Sequence, residues 1–191
     1  MALIQEIDYG TPASKAEKTV RLVIDGNTVE VPEGTSVMRA SMEAGIQVPK
    51  LCATDMVDAF GSCRLCLVEI EGRNGMPASC TTPVSEGMVV HTQTGRLKDI
   101  RKGVMELLLA DHPERADAHD ASSHFWNMAD LCDQHDSRYP AIESDRIPLL
   151  DGSHVAMRVN LDSCIHCNLC VRACREVQVN DVIGMAGRGH D

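Results

Sequence analysis

Residues 19–45 read TVRLVIDGNTVEVPEGTSVMRASMEAG and contain the clearest structural signal in the chain. Apolar and polar residues alternate on both sides of the turn signal Asp25-Gly26-Asn27, which predicts a β-hairpin. Ser36 is a favoured helix N-cap residue, and Gly45 stands where a helix commonly ends, so a short helix should run through Ala44. The segment therefore predicts two strands followed by a helix.

Cysteine is the most informative residue type in this chain of 191 residues. The N-terminus has no basic region followed by an apolar stretch, so it is not a signal peptide. A reducing compartment disfavours structural disulfides, and clustered cysteines there indicate metal or redox chemistry. Only Cys132 stands alone. The other eight cysteines form two groups: Cys52, Cys63, Cys66 and Cys80, then Cys164, Cys167, Cys170 and Cys174.

Composition excludes several classes of function. The net charge is −10 and no basic stripe is present, which argues against nucleic-acid binding. No apolar run is long enough to cross a bilayer, so we expect a cytoplasmic protein without a membrane span. Aromatic residues make up only 3% of the chain, and the core must therefore consist of aliphatic residues and Met.

The first cysteine group has the asymmetric spacing of a two-iron site. Ten residues separate Cys52 from Cys63, two separate Cys63 from Cys66, and thirteen separate Cys66 from Cys80. Four thiolates can hold two irons bridged by sulfides, and the small residues Gly61-Ser62 would let the backbone approach the sulfurs. Four-Cys zinc sites usually have two short pairs, whereas this group has one. The spacing favours a [2Fe–2S] cluster over zinc or over four unrelated buried thiols.

The second cysteine group spans residues 164–174 and reads CIHCNLCVRAC. Spacings of two, two and three are typical of [4Fe–4S] sites in bacterial ferredoxins. The first three cysteines should bind one cluster, whereas Cys174, on the helix that follows, points to a second cluster of a pair. Arg175 stands where the usual proline would follow, and the chain contains no second run.

The remaining segments alternate extended and helical patterns. A helix is expected from Thr94 to about Asp111, and residues 113–153 indicate a connector with one amphipathic piece at 125–131. The apolar stripe of the first helix is expected at Leu97, Ile100, Val104, Leu107 and Leu108. Short strands are expected at 67–71, 88–92 and 155–159. The predicted domains are a flexible arm (1–18), a [2Fe–2S] domain (19–93), a helix and connector (94–153) and a [4Fe–4S] segment (154–191).

Three stretches carry a resemblance to a known family. Residues 49–52 (PKLC), 61–69 (GSCRLCLVE) and 77–83 (PASCTTP) resemble the N-terminal domain of the large, 75 kDa-type subunit of NADH dehydrogenase. The same domain begins iron-only hydrogenases, the diaphorase of NAD-reducing hydrogenases and the large subunit of NAD-dependent molybdenum formate dehydrogenases. Strand, strand and helix is also how a β-grasp ferredoxin begins. The expected fold is therefore α+β: a β-grasp [2Fe–2S] domain, a helical connector and part of a [4Fe–4S] ferredoxin domain.

Further stretches look most like formate dehydrogenase, namely residues 76–83, 88–92 and 101–107. This resemblance implies an electron relay with no active site of its own. Its partners would be a molybdopterin domain that oxidises formate and a flavin subunit, with FMN, that reduces NAD⁺. Residues 176–189 resemble the segment between two cysteine runs, so the chain is expected to be the front of a longer one. The alternatives are a stand-alone iron–sulfur subunit of a hydrogenase diaphorase or NADH dehydrogenase-like complex, and a non-redox, metal-stabilised interaction module.

The resemblance breaks after the long helix. In the related families, a His-Pro there begins a third cluster site with one His and three Cys. Here His112-Pro113 is present, but residues 114–131 contain no cysteine. We favour loss of that cluster. The other interpretations are a zinc site at His112, Cys132 and neighbouring histidines (His119, His124 and His135), or Cys132 as a spare ligand for the C-terminal cluster.

Overall fold

The computed structural model describes residues 7–115, 123–140, 150–161 and 163–185. Its first part is a four-stranded sheet with strand order β2-β1-β4-β3 and one helix packed against it. The arrangement agrees with the α+β, [2Fe–2S] ferredoxin-like domain expected from the sequence. Its elements are β1 (Thr19–Ile24), β2 (Asn27–Pro32), α1 (Val37–Glu43), β3 (Glu69–Ile70) and β4 (Val89–His91).

The predicted hairpin is confirmed. β1 and β2 pair antiparallel, and Ile24 lies opposite Asn27 across a turn of only two residues. Asp25 and Gly26 have φ values of 47° and 83°. Positive φ at both positions is what the short type I′ hairpin turn requires, which explains the Asp-Gly pair.

β4 closes the sheet by pairing parallel to β1 and antiparallel to β3. The Thr92 N–H and hydroxyl donate to the two carboxylate oxygens of Asp25 at 2.7 and 2.5 Å, which ties the end of β4 to the hairpin turn. Ser36 caps α1 by accepting from the Arg39 N–H at 3.0 Å. The core between sheet and helix consists of Val20, Leu22, Ile24, Val29, Val31, Val37, Ala40, Val68, Ile70, Val84, Met88 and Val90.

Two expected strands are shorter than predicted, and one prediction is wrong. Leu67 is bridged to Ala78 outside the strands, so β3 keeps only two residues, and β4 loses one residue at each end of its predicted range. Residues 155–159 do not form one strand. They contain the turn between β5 (Leu150–His154) and β6 (Met157–Asn160), with Val155 fully exposed at that turn.

Two helices follow the sheet. α2 (Gly95–Ala110) begins at the cap residue Thr94, and α3 (His124–Cys132) is the predicted amphipathic piece, extended by one residue at each end. The buried face of α2 differs from the predicted stripe, because Leu107 is 58% exposed. The buried residues of α2 are Leu97, Arg101, Met105, Glu106 and Ala110.

Residues 7–18 are irregular, yet they contact the sheet domain. The Asp8 carboxylate accepts from Lys50 Nζ at 2.6 Å and from the Gly10 and Asp55 N–H groups at 2.8 and 3.0 Å. Gly10 has a φ of 88°, and a Cβ there would lie 2.4 Å from Met38 Sδ. The packing of this segment therefore requires glycine at position 10. Residues 7–18 contact the sheet domain, which differs from the flexible arm predicted there. Residues 1–6 lie outside the described chain.

The C-terminal part begins with the β5–β6 hairpin. α4 (Leu169–Arg172) follows and continues directly into one π-helical turn, Ala173–Val177. Within the described residues, no helix is long and apolar enough to cross a bilayer.

Candidate iron–sulfur site

Three loops bring the first cysteine group together. Cys52 follows α1, Cys63 and Cys66 precede β3, and Cys80 lies on a short 3-10 helix, Ser79–Thr81. The sulfurs form two pairs. Cys66 Sγ lies 3.5 Å from Cys80 Sγ, and the Cys63 N–H donates to Cys52 Sγ at 3.4 Å while the two thiols hydrogen-bond to each other.

A dinuclear cluster needs two sulfur pairs, because each iron takes two cysteine ligands and shares two sulfides with the other iron. The pairs also interact electrostatically: Cys52 and Cys63 both contribute to the pKa of Cys80. Within the described part of the chain, no three His, Cys, Asp or Glu groups lie close enough together to hold a single metal ion. The grouping of the four sulfurs into two pairs fits a [2Fe–2S] cluster.

Each sulfur pair contains one thiol that is easily deprotonated. A hydrogen bond from the Cys63 thiol lowers the pKa of Cys52, with further contributions from the N–H groups of Cys63 and Ser62. The hydrogen bond between the Cys66 and Cys80 thiols likewise lowers the pKa of Cys66. The pKa values of Cys63 and Cys80 are raised, because each thiol keeps the proton shared within its pair. An iron bound to a pair would take the place of that shared proton.

The backbone before Cys63 is tightly folded. Gly61 has a φ of 71°, and a Cβ there would lie 3.1 Å from Cγ2 of Thr81, next to Cys80. The predicted need for a small residue beside the cysteines is therefore confirmed at Gly61. Its effect is to let the Cys63 loop pack directly on the Cys80 turn.

A buried arginine on α2 holds the Cys66 loop from the other side. Arg101 donates from Nε to the Leu65 carbonyl at 3.1 Å and from Nη2 to the Leu67 carbonyl at 2.7 Å, so both neighbours of Cys66 are bound. Burial lowers the pKa of Arg101. Sequence reasoning missed this residue, although its position offered a signal. Arg101 lies four residues from both Leu97 and Met105, on their helix face, and both of these are fully buried.

The second cysteine group lies beside the first. Cys167 and Cys164 are half-buried, Cys170 is exposed and Cys174 is buried. Burial raises the pKa of Cys167, and the charges of Cys170, Cys164 and Cys52 add to this shift, which places Cys167 within electrostatic reach of the first group.

The loop of the second group has a distinctive backbone. His166 and Asn168 have φ values of 52° and 63°, so the chain changes direction twice between Cys164 and α4. The ligand set of this group stays a prediction.

The region around His112, where the resemblance predicted a third cluster site or its loss, contains aromatic side chains. The His112 ring stacks on Phe125 with centroids 3.9 Å apart and packs edge-on against Trp126 at 5.4 Å. Cys132 lies in the same buried cluster as these two aromatic residues, and burial raises its pKa. His124 hydrogen-bonds to the Lys50 carbonyl at 2.7 Å. These packing contacts give no support to a zinc site; His119 lies outside the described chain.

The fold and the two sulfur pairs define a class of electron-transfer domain. Residues 17–95 match the family described as 2Fe-2S iron-sulfur cluster binding domain. The chain is also similar to subunits of NADH-ubiquinone and NADH-quinone oxidoreductases. It is 33% identical over 189 residues to the mitochondrial NADH-ubiquinone oxidoreductase 78 kDa subunit of Candida albicans, covering 96% of this chain and 26% of that one.

Two further comparisons agree. A subunit of the NADH-quinone oxidoreductase of Rickettsia typhi is 34% identical over 181 residues, with 89% of this chain and 25% of the relative covered. The chain thus spans about a quarter of the length of these curated relatives. A crystal structure of NAD⁺-reducing [NiFe]-hydrogenase in the H₂-reduced state matches with a TM-score of 0.80 and 27% identity, over 89% of this chain and 71% of that one. The resemblance to these two families is confirmed, whereas formate dehydrogenase stays a prediction.

Proposed function

We propose that this chain relays electrons through a [2Fe–2S] cluster held by Cys52, Cys63, Cys66 and Cys80, as part of an NAD-linked oxidoreductase. The observation that carries the proposal is the grouping of the four sulfurs into two pairs. Cys52 and Cys63 would hold one iron, and Cys66 and Cys80 the other. The cluster supplies reversible one-electron transfer when bound.

The protein's own residues prepare the site for that chemistry. N–H groups of Ser62 and Cys63 donate toward the Cys52 sulfur, and such hydrogen bonds stabilise the more negative, reduced state. Cys52, Cys66 and Cys80 are each almost fully buried, so water is largely excluded from the sulfurs. A dry, pre-formed site reduces the reorganisation that accompanies electron transfer.

A second relay station is proposed at the C-terminal cysteines. Cys164, Cys167 and Cys170 would bind a [4Fe–4S] cluster, and Cys174 would bind the same cluster or a neighbouring one. The hydrogen bond from Arg172, in the second segment, to the Cys52 carbonyl at 2.7 Å supports a path between the two sites, because electrons pass only between centres that lie close together. The bacterial-ferredoxin spacing of this group supports the cluster type.

The complex around this chain is proposed from its sequence. Residues 76–83, 88–92 and 101–107 favour a formate dehydrogenase, in which formate and NAD⁺ become CO₂ and NADH. Its partners would be a molybdenum catalytic domain with molybdopterin and a flavin subunit with FMN that binds NADH. The second candidate is a stand-alone iron–sulfur subunit of a hydrogenase diaphorase or of an NADH dehydrogenase-like complex, and the similarity to NADH oxidoreductase subunits supports the latter. The matched chain of the NAD⁺-reducing hydrogenase supports the former, because 71% of that chain is covered.

Metal analysis and reduction by different donors test these proposals. The chain purified without oxygen should contain iron and acid-labile sulfide, and partial reduction should give a rhombic paramagnetic signal from a two-iron centre. Zinc without iron at the first cysteine group would overturn the redox function and favour a metal-stabilised interaction module. In the native complex, cluster reduction by formate would support the first candidate. Reduction by hydrogen but not by formate would support the second.

A further inference from the structure

Arg172 belongs to the second cysteine segment but is bound to the loop of the first. It lies two residues after Cys170 and two before Cys174. Its Nη2 donates to the carbonyl of Cys52 at 2.7 Å, and its Nη1 donates to the carbonyl of Asp58. The residue is only 7% exposed, so α4 places a full positive charge against the backbone of a proposed iron ligand.

The surroundings of Arg172 leave its charge without a carboxylate. Among the described residues, no Asp or Glu forms an ion pair with it, and its Nε is buried without a hydrogen-bond partner. The nearby Glu176 instead accepts from the Asp58 N–H at 3.1 Å. A buried, unpaired charge is costly unless an opposite charge lies near. Arg172 also lies over the Phe60 ring at 5.5 Å, and besides the nearby Glu176 the cysteine thiolates with their cluster can supply negative charge.

The positive charge of Arg172 interacts with the Cys52 sulfur. After the hydrogen bonds from Cys63 and Ser62, the charge of Arg172 is a further cause that lowers the pKa of Cys52. On the other sulfur pair, Arg101 holds the carbonyls on both sides of Cys66. Two buried guanidinium groups thus flank the proposed cluster, one from α2 and one from α4.

We propose that Arg172 is a positioning residue that links the docking of the second cysteine segment to the reduction potential of the [2Fe–2S] cluster. This inference rests on the proposed function. Reduction adds one electron and makes the cluster more negative, so a nearby fixed positive charge stabilises the reduced form and raises the potential. The attraction between the guanidinium and the reduced cluster is strong because the site is buried and little screened by salt. The reduction potential of the first cluster would thereby depend on whether the second cysteine segment is docked.

Redox titration of the whole 191-residue chain tests the proposal. The reduced two-iron signal would be followed against potential in the wild type and in Arg172→Gln, Arg172→Lys and Arg175→Gln. Arg172→Gln should keep its two-iron cluster but titrate at a lower potential, and the difference should persist in high salt. Arg172→Lys keeps the charge and should titrate closer to the wild type. Arg175→Gln is the control, because Arg175 is exposed and pairs with Asp181 at 2.8 Å.

Each outcome is decisive. A fully loaded Arg172→Gln protein with the wild-type potential would overturn the inference and leave the proposed function intact. A wild-type chain that binds no iron would instead overturn the proposed function. If Arg172→Gln does not retain its cluster, the test passes to Arg172→Lys, which keeps the positive charge. A wild-type reduction potential in Arg172→Lys would support the charge effect, and a clearly lowered one would contradict it. An equal shift in Arg175→Gln would also contradict a specific effect of Arg172.

Discussion

The Sγ atoms of Cys66 and Cys80 lie 3.5 Å apart, although the residues are fourteen positions apart in the chain. The backbone enforces this contact. The Ser79 N–H donates to the Cys66 carbonyl at 2.9 Å, and the Val68 N–H donates to the Pro77 carbonyl at 3.0 Å. Because the main chain and not the metal holds the two loops together, the sulfur pair should exist before iron arrives.

Removing one sulfur of this pair should abolish the two-iron centre. In Cys80→Ser, one iron loses a thiolate ligand, and we expect the loss of about two irons per chain together with the rhombic signal. Iron and sulfide analysis checks this. Cys132→Ala is the matched control, since Cys132 is also buried but lies in the aromatic cluster, and it should keep both irons. Full two-iron content in Cys80→Ser would contradict the proposed ligand set.

Removing the Arg101 guanidinium should destabilise the domain. Arg101→Met leaves the Leu65 and Leu67 carbonyls without their donor, and each unsatisfied buried group costs about 1–3 kcal/mol. We therefore expect the free energy of unfolding to fall by about 2–4 kcal/mol in urea denaturation. In the control Lys102→Met, only an exposed pair with Asp133 is lost, and the change should stay within about 0.5 kcal/mol. Equal effects of the two substitutions would show that these carbonyl contacts contribute little.

Attachment of residues 7–18 should depend on the Asp8 carboxylate and therefore on pH. Burial raises the pKa of Asp8, but the Lys50 hydrogen bond and the N–H groups of Gly10 and Asp55 outweigh it, and the net pKa is lowered from 3.8. A lowered folded-state pKa means that the stabilisation is present above pH 3.8 and is lost as the pH falls through the folded pKa. The protection factor of the Gly10 amide, which corrects the exchange rate for the intrinsic effect of pH, should accordingly be high at neutral pH and fall only in acid.

The substitution Asp8→Asn tests the same contact without acid. It removes the negative charge that Lys50 binds, so amide exchange at Gly10 and Asp55 should be fast already at neutral pH. Asp133→Asn is the control, because the Asp133 carboxylate is exposed and does not contact the segment. Unchanged exchange in Asp8→Asn would mean that the packing of Gly10 against Met38 is sufficient for attachment.

The aromatic stack should stabilise the fold and bind no metal. Phe125 is buried between α2 and α3, and Phe125→Ala should lower the free energy of unfolding by about 3–5 kcal/mol. His112→Ala should be milder and should leave the iron and zinc contents of the protein unchanged, because the ring acts by stacking on Phe125. Loss of a bound metal in His112→Ala would instead support a metal site at this position.

Local patterns predict much of the sheet domain. The Asp25-Gly26 turn and the Ser36 cap follow from short-range geometry, and the structure shows both. The strand prediction at Val155 is wrong because Val155 lies in the turn between β5 and β6. The residues of this turn are apolar, so the alternation of apolar and polar residues does not reveal it. Spacing also indicates the first four cysteines, but not which two sulfurs pair. That grouping depends on how the Cys66 loop and the Cys80 turn meet in space.

The buried arginines could not be predicted from short-range patterns. Arg101 binds carbonyls 34 and 36 positions away, and Arg172 binds the Cys52 carbonyl 120 positions away. Nothing next to either residue in sequence indicates such a partner. A basic residue on an apolar helix face is a weak signal, because lysine and arginine often extend past the apolar surface to reach water.

The parallel pairing of Val23 with Val89 sets an order of events during biosynthesis. The segment between these two residues carries Cys52, Cys63, Cys66 and Cys80, so the sheet cannot close until all four have left the ribosome. At about 5–20 residues per second, synthesis of the 37 residues from Cys52 to Val89 takes roughly 2–7 s. The earliest thiols are therefore exposed to oxygen and to competing metals for several seconds. Delivery of iron only after β4 has emerged would give the highest fraction of correctly assembled clusters.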